Sequence, residues 1–473
     1  MLRAAALFAC AVVVWSIAAC EGASDDGGVE GEGEGEGEGE VGGEGEGEGE
    51  GEEGEEGEEG EGEGGEGEGE DPGPFVDIAL TSDITRVQPM TGIVLWDGDH
   101  DDDTVKQNGT IALEYAYFGY AQIVSDPLPS TWNWAPFEDL LDRVAARGHQ
   151  TIVRFYETYP GDETMVPQYI KGREDYSETH ADSEGERTGF PDWSNAEWQR
   201  FHSEFFTELA ARYDDDPRLA FLQVGFGLWG EYHIYDAPHV LGVQFPSKAY
   251  QSQFLRHMDE QFLTLKWSIS IDAADDEYSP IPDDETLLGL GFGNFDDSFM
   301  SAEHATYNEL NWDFFQHDTR FTTSPAGGEL SYYTDEDQQH ALDVAGLHGR
   351  TFEQLSARFQ ISYMIGNDQP AYQTDARIKQ AGMALGYAFE VTALSSSSSS
   401  SRVTVKNIGI APIYYDAFVA IDGVRGSASL QGLLPGASRD ITIARGGTAP
   451  VLTIVADRLV AGQTIEYRAR LQP

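Results

Sequence analysis

LAFLQVGFGLWGEYH, residues 219–233, begins as an apolar run interrupted only by Gln223 and Gly225 and ends by delivering Glu231 and His233. A run of aliphatic and aromatic residues without polar alternation reads as a strand buried on both faces, the habit of parallel sheets. Glycines at 225, 227 and 230 let the backbone turn sharply or approach a neighbour closely. A carboxylate and an imidazole two residues apart, beside Trp229 and Tyr232, then stand where the strand leaves the core. In a closed parallel barrel, that end of the strands carries the chemistry. Glu231 is therefore the first candidate for proton transfer.

Working outward, similar buried runs recur at 93–96, 111–118, 151–156, 266–272, 288–295, 321–329 and 359–365. Helical patterns separate most of them. Phe137, Leu140, Leu141 and Val144 recur at helical spacing before Arg147-Gly148, and Ser194-Asn195-Ala196-Glu197 has the form of a capping box ahead of Trp198, Phe201, Phe205 and Leu209. Further helices are expected at 247–264, 336–347, 351–357 and 374–385. Eight strands alternating with helices predict an α/β fold, a TIM (β/α)8 barrel, with a doubly wound open sheet as the alternative. The first crossover, 97–109, is short for a helix. Beyond residue 386 the pattern changes to short β-rich runs separated by turns such as Asp422-Gly423 and Pro435-Gly436, which predict a small all-β sandwich. Seven serines, 395–401, lie near this boundary.

The N-terminal end is of another kind. Arg3 precedes an apolar segment, residues 4–15, too short to span a membrane, and Ile17-Ala18-Ala19-Cys20 resembles the lipobox of bacterial lipoproteins. That resemblance implies a lipid anchor at Cys20 and, with Glu21 following, a place in the bacterial cell envelope at the outer membrane or cell surface. An ordinary secretory signal is the alternative. The other cysteine, Cys10, falls inside the signal, so the mature chain has no disulfide, thiol nucleophile or thiolate metal site. Residues 21–71 are almost all Gly and Glu, with 25 acidic and no basic residues. Such a segment has nothing to bury and reads as a disordered tether of about 40 Å or more. The chain is thus divided into a signal (1–20), a Gly/Glu-rich linker (21–72), a barrel (73–386) and a β-sandwich (387–473). Of 84 acidic residues 59 lie outside the tether against 28 basic ones, a balance near −31 that disfavours nucleic acid and suits a neutral ligand.

Counted along the barrel, Glu231 follows the fourth strand and Glu329 ends the seventh, each after a glycine. This placement resembles clan A glycoside hydrolases of the β-galactosidase type. Three stretches also resemble an uncharacterised family of bacterial exported barrels with a C-terminal β-domain: Arg154-Phe-Tyr…Tyr159-Pro-Gly…Val166-Pro-Gln; Trp229-Gly-Glu-Tyr-His233; and Phe295-Asp-Asp-Ser-Phe299 followed by Gly327-Gly-Glu329. Asn407-Ile-Gly-Ile-Ala-Pro412-Ile-Tyr-Tyr belongs to the same resemblance in the β-domain. The clan resemblance implies retaining hydrolysis of a neutral oligo- or polysaccharide, with Glu231 as general acid/base and Glu329 as nucleophile, and no cofactor. This chain departs from the clan at Gly230, where an Asn usually precedes the acid/base. A surface glycan-binding or adhesion protein without catalysis is therefore the competing reading.

Retaining hydrolysis needs two carboxyls about 5–5.5 Å apart, one ionised and one carrying a proton. Strand-end hydrogen bonding is the structural alternative for both glutamates. Arg154 and Tyr156, at the end of the third strand, are candidates for substrate binding, with an ion pair from Arg154 to Glu114 or Glu157 as the alternative. Trp229, His233, Asp296 and Asp297 are further substrate-binding candidates, the two aspartates read as following a strand. Trp132, Trp134 and Trp193 are loop aromatics suited to stacking on a sugar, or to the core. Asp97, Asp99, Asp101 and Asp103 have the alternation of a calcium loop but lack its Gly and terminal Glu. A metal-dependent hydrolase finds little support, since no H-E-x-x-H occurs and His233 and His239 have no evident partner cluster.

Overall fold

Eight parallel strands close into a barrel: β1 Gly92–Trp96, β2 Leu113–Gly119, β3 Gln150–Tyr156, β4 Leu219–Gln223, β5 Trp267–Ser270, β6 Gly293–Phe299, β7 Ala326–Leu330 and β8 Tyr363–Ile365. Each pairs with the next, and β8 returns to β1 through Met364↔Ile93. The structure is a computed structural model that describes residues 73–107, 109–124 and 132–472. The signal, Cys20 and the Gly/Glu segment lie outside the described residues. The expected barrel is present, and the short first crossover holds only a single 3-10 turn, Thr104–Lys106.

Helices Ala135–Ala146, Ala196–Tyr213 and Lys248–Gln261 pack outside the strands. The cap of the second is Asn195, one residue after the expected Ser194: its side chain accepts from the N–H groups of Glu197 and Trp198. Trp198, Phe201, Phe205 and Leu209 from this helix are fully buried, each contributing about 1.5–3 kcal/mol of hydrophobic stabilisation. Three strands differ clearly from expectation, β8 starting only at Tyr363 rather than at residue 359. β6 starts at Gly293 and runs on to Phe299, so Asp296 and Asp297 lie within it rather than after it. β7 begins only at Ala326, because 321–324 continue the turn that follows a short helix, His317–Arg320.

The β-rich region forms two sheets. One contains Ser438–Ile443, Ser401–Asn407, Phe389–Ser396 and Tyr467–Leu471 in that order; the other contains Val424–Ser429, Ala417–Ile421 and Leu452–Ala456. The N-terminal strands Val76–Asp77 and Leu80–Ser82 join the first sheet, pairing with Ser395–Ser396 and Ala469–Leu471. The serine run is the tip of the hairpin between Phe389–Ser396 and Ser401–Asn407, with Ser396 and Ser401 buried and their hydroxyls 3.1 Å apart.

This region closes the N-terminal end of the barrel. Asn407 accepts from Gly409 N–H (2.9 Å) and donates to the carbonyls of Ala411 (2.9 Å) and Leu433 (2.8 Å), shaping the loop that carries Tyr414 and Tyr415 inward. Tyr415 stacks on Phe221 of β4, which stacks in turn on Tyr363 of β8. The Tyr415 hydroxyl donates to Ala220 O (2.5 Å) and accepts from Lys266 N–H (3.1 Å). Interior residues Val94, Leu113, Ile152, Phe221 and Ile365 thus share one apolar cluster with the sandwich core. Among the described residues, no helix is long and apolar enough to cross a membrane.

Tyr415→Phe keeps the ring and deletes both hydrogen bonds, leaving a buried carbonyl and N–H unpaired. Urea unfolding is expected to show a loss of about 1–3 kcal/mol. An unchanged midpoint would mean that this hydroxyl does not tie the two regions together.

Candidate active site

β4 ends at Gln223, and residues 224–233 fold into a compact turn above it. Leu228 N–H and Tyr232 N–H donate to His233 O (3.0 Å) and Phe226 O (2.8 Å), while Gly227 N–H donates to the Glu157 carboxyl (2.9 Å). Gly227 has φ +82°, and a Cβ there would lie 2.4 Å from His233 O, so no other residue fits. Trp229 and Tyr232, on either side of Glu231, also hold left-handed backbone, φ +53° and +68°. Non-glycine residues adopt this at a cost on the order of 1 kcal/mol each, a strain characteristic of functional turns.

Below the turn lies Arg154, pointing inward from β3 and 1% exposed. Its Nε and Nη2 donate to Gln223 Oε1 (3.0 and 2.7 Å), and Nη1 donates to the Tyr117 hydroxyl (3.1 Å) and Trp229 O (3.3 Å). Nη1 also makes the ion pair with Glu231 Oε1. Phe295 of β6 lies flat beneath the guanidinium, 4.2 Å from its centroid. Gln223 in turn donates to the Tyr363 hydroxyl (2.9 Å). Tyr363 reaches this level because residue 327 is glycine: a Cβ there would be 2.2 Å from its ring.

Glu329 enters the same mouth from β7. Burial, and next the charge of Glu231, push its carboxyl up to about 8, with Arg154 opposing. Its Oε1 is enclosed and has no hydrogen-bond partner. Across the mouth, Glu231 Oε2 stands 3.9 Å from His233 Nε2, and His233 Nδ1 is 3.0 Å from Asp272 Oδ2 at the end of β5. Asp297 points inward from β6, beside a register slip between Asp296 and Phe299; burial, then Asp272 and Glu231, hold its carboxyl well above the usual range.

No family model and no curated protein sequence matches this chain. Among the solved structures it resembles are endo-glycoceramidase II from Rhodococcus sp. (10% identity, covering 78% of this chain and 100% of that one, TM-score 0.36) and an α-galactosidase from Thermus thermophilus (12%, 66% and 64%, 0.36). A third is the galactosidase domain of an α-galactosidase-sucrose kinase (13% identity, TM-score 0.34); 78% of this chain aligns, spanning 56% of that chain's length.

The mouth thus brings together Glu231, Glu329, Arg154, His233, Asp297, Trp229 and Tyr156. Trp229 meets Tyr159 and His233 edge-on, and Tyr156 meets Tyr117 and Tyr159 in the same way. Other candidates go elsewhere. Asp296 points out of the barrel, where it accepts from Ser298 N–H (2.9 Å), Asn308 (2.6 Å) and Trp312 Nε1 (2.9 Å), so it does not reach a ligand. Trp134 and Trp193 are buried between helices and strands, Trp134 against Trp132, Phe137 and Tyr213, and Trp193 against Trp198 and Phe226. They and Trp132, stacked on Phe201, serve the core. Arg154 pairs with neither Glu114 nor Glu157. Glu114 faces outward to Lys106 (2.9 Å), Arg147 (2.6 Å) and His149 (2.7 Å); burial alone would raise it, but these bonds hold it at about 2. Of the alternating aspartates, Asp97 and Asp101 come together with Glu114, each offering an oxygen within 4.8 Å of the others, but basic side chains engage them: Asp97 takes Arg143 and Arg147, and Asp101 takes Lys106. Asp99 accepts from Asn367 and Asp103 pairs with His100. His233, for which the sequence showed no partner cluster, has one: it, Glu231 and Asp297 each offer a donor atom within 4.8 Å of the others.

Several mouth residues went unread in the sequence. Tyr235, stacked on His233 at 4.3 Å, Tyr307 and Tyr333 are exposed and feel the charges of Asp297 and Asp272, while Tyr332 stands beside Glu329 and Asp368. Asp272 and Tyr332-Tyr333 follow directly on β5 and β7, so the strand-end rule applied to Glu231 points to them as well.

Glu157 underpins the turn from below. It is fully buried without a cation partner, and burial pushes it up to about 8 against the Gly227 hydrogen bond. A carboxyl raised in the folded state contributes most below its unfolded value near 4.5, and that contribution is lost as pH rises through about 8. Unfolding free energies measured from about pH 5 to about pH 9 are expected to fall by a few kcal/mol more in the wild type than in Glu157→Gln. Parallel curves would contradict the buried, neutral assignment.

Proposed function

We propose that the barrel mouth hydrolyses glycosidic bonds of a neutral oligo- or polysaccharide with retention, using Glu231 and Glu329. The observation that carries this reading is the unequal electrostatic setting of two carboxyls entering one mouth. Glu231 is the ion-pair partner of Arg154, and Glu329 is enclosed without one. The roles implied by resemblance are accordingly exchanged. Glu231, through its unbonded Oε2, attacks the anomeric carbon while Glu329 gives its proton to the leaving oxygen. This leaves a glycosyl ester on Glu231 and a carboxylate at Glu329. Glu329 then takes a proton from water, whose oxygen displaces Glu231. Trp229, Tyr156 and the exposed tyrosines 235, 307, 332 and 333 offer apolar faces and hydroxyls to a pyranose. We further propose that the protein lies outside the cytoplasm, lipid-anchored through Cys20, a reading supported by the Ile17-Ala18-Ala19-Cys20 sequence.

Glu231→Gln and Glu329→Gln are each expected to lower kcat/KM on unactivated glycans by about 100-fold or more. On aryl glycosides whose leaving group needs no proton, Glu329→Gln should keep its first step and Glu231→Gln should not. Wild-type activity is expected to fall as pH rises through about 8, where Glu329 ionises against Glu231 and Asp368, with Arg154 opposing and Tyr332 and Tyr115 facing it. Turnover unchanged in both variants would exclude the assignment. Glycan binding that survives with no turnover in the wild type would establish the adhesion reading instead.

A further inference from the structure

His233 is only 8% exposed, and its Nδ1 lies 3.0 Å from Asp272 Oδ2. A carboxylate accepts only, so in the neutral ring this bond puts the proton on Nδ1 and the lone pair on Nε2. Tyr235 stacked at 4.3 Å and Trp229 edge-on at 5.8 Å hold the ring plane. Nε2 makes no hydrogen bond; Glu231 Oε2 is 3.9 Å away, beyond reach of one. The other oxygen of Glu231 is engaged by Arg154, which leaves Oε2 turned toward Nε2. Asp297, from β6, supplies the third atom, and the three donors lie within 4.8 Å of one another. Three electron-pair donors thus converge on one small space, with an imidazole oriented by a carboxylate behind it. That is the arrangement in which histidine ligates metals. Bonds of about 2.0–2.4 Å to a common ion place its ligand atoms about 3–4.8 Å apart.

The geometry points to a divalent transition-metal site formed by Glu231, His233 and Asp297, with Asp272 orienting the imidazole; we propose Zn2+ or Mn2+ as its occupant. One imidazole and two carboxylates suit these ions better than Ca2+, which prefers oxygen throughout. The site goes beyond the hydrolytic reading and does not depend on it. Because the ion takes Glu231 Oε2, the atom assigned to attack the sugar, metal-bound and catalytic states exclude each other. On the hydrolytic reading, metal is therefore an inhibitor of the mouth.

The test is Mn2+ binding followed by electron paramagnetic resonance, and Zn2+ binding by calorimetry, on the chelator-treated full chain. Every variant carries the same acidic segment 21–71, so the difference between variants defines the site. A single site of micromolar or tighter affinity is expected in the wild type. It should be weakened about 100-fold or more by His233→Ala or Asp297→Asn and about 10-fold by Asp272→Asn, and unchanged in His340→Ala, an exposed control that belongs to no such cluster. Melting curves establish that each variant is folded, and Asp297→Asn, which keeps the side-chain shape, carries the test if His233→Ala is not. Titrations that match the wild type in both ligand variants overturn the proposal. So does the absence of a tight metal site together with Asp297-dependent binding of glucosamine, which would give the three acceptors to an ammonium group. Failure to find a hydrolysed glycan leaves the metal result standing, since binding is read directly; where hydrolysis is found, Zn2+ should inhibit it in competition with substrate.

Discussion

A guanidinium buried at the axis of a barrel has to be neutralised and fully hydrogen-bonded, and the upper half of this molecule is arranged around that requirement. Arg154 receives a charge from Glu231, an amide oxygen from Gln223, a hydroxyl from Tyr117 and a π face from Phe295. Breaking a buried pair by removing one partner costs about 3–5 kcal/mol, so Glu231 is held as firmly by stability as by any function. The pair also sorts the remaining carboxyls. With the one buried cation of the mouth committed to Glu231, Glu329 and Asp297 have no cation of their own, and burial pushes both toward the neutral form.

The other end of the barrel is solved by apolar means. Tyr415, Phe221 and Tyr363 stack into a plug that runs from the sandwich core into the barrel interior. Above it, Gln223 joins Tyr363 to Arg154, so the sequence of layers from the closed end to the mouth is aromatic, amide, cation, carboxylate. The left-handed residues Trp229 and Tyr232 raise the cost of the turn bearing Glu231, and the buried acid Glu157 and the hydrogen bonds below the turn hold it in place.

Much of this was legible in residues 219–233. An unbroken apolar run reports burial on both faces, and counting such runs placed Glu231 and Glu329 at strand ends without knowledge of any contact. What escaped was set by register and by tertiary competition. The sequence ended the sixth strand before Asp296, making both aspartates loop residues. The strand in fact runs on, and its two-residue period sends Asp297 into the mouth and Asp296 out to Trp312. Tryptophans drew attention as sugar platforms, yet Trp134 and Trp193 gain more from packing beneath the helices, and the rim is built of tyrosines that tolerate water at one end. The serine run lies near the expected boundary, and pairing on both sides of it makes it a hairpin tip. In the proposed mechanism the roles of the two glutamates rest on the contact of Arg154 with Glu231, between residues 77 positions apart, which no local pattern reports.

The central claim is that Glu231, paired with Arg154, is the group that attacks the sugar. Trapping with activated fluoro-glycosides, followed by peptide mass spectrometry, addresses it directly. The account predicts one covalent glycosyl adduct, on the peptide containing Glu231 and absent in Glu231→Gln. An adduct on Glu329 would contradict it and return the roles to those implied by resemblance.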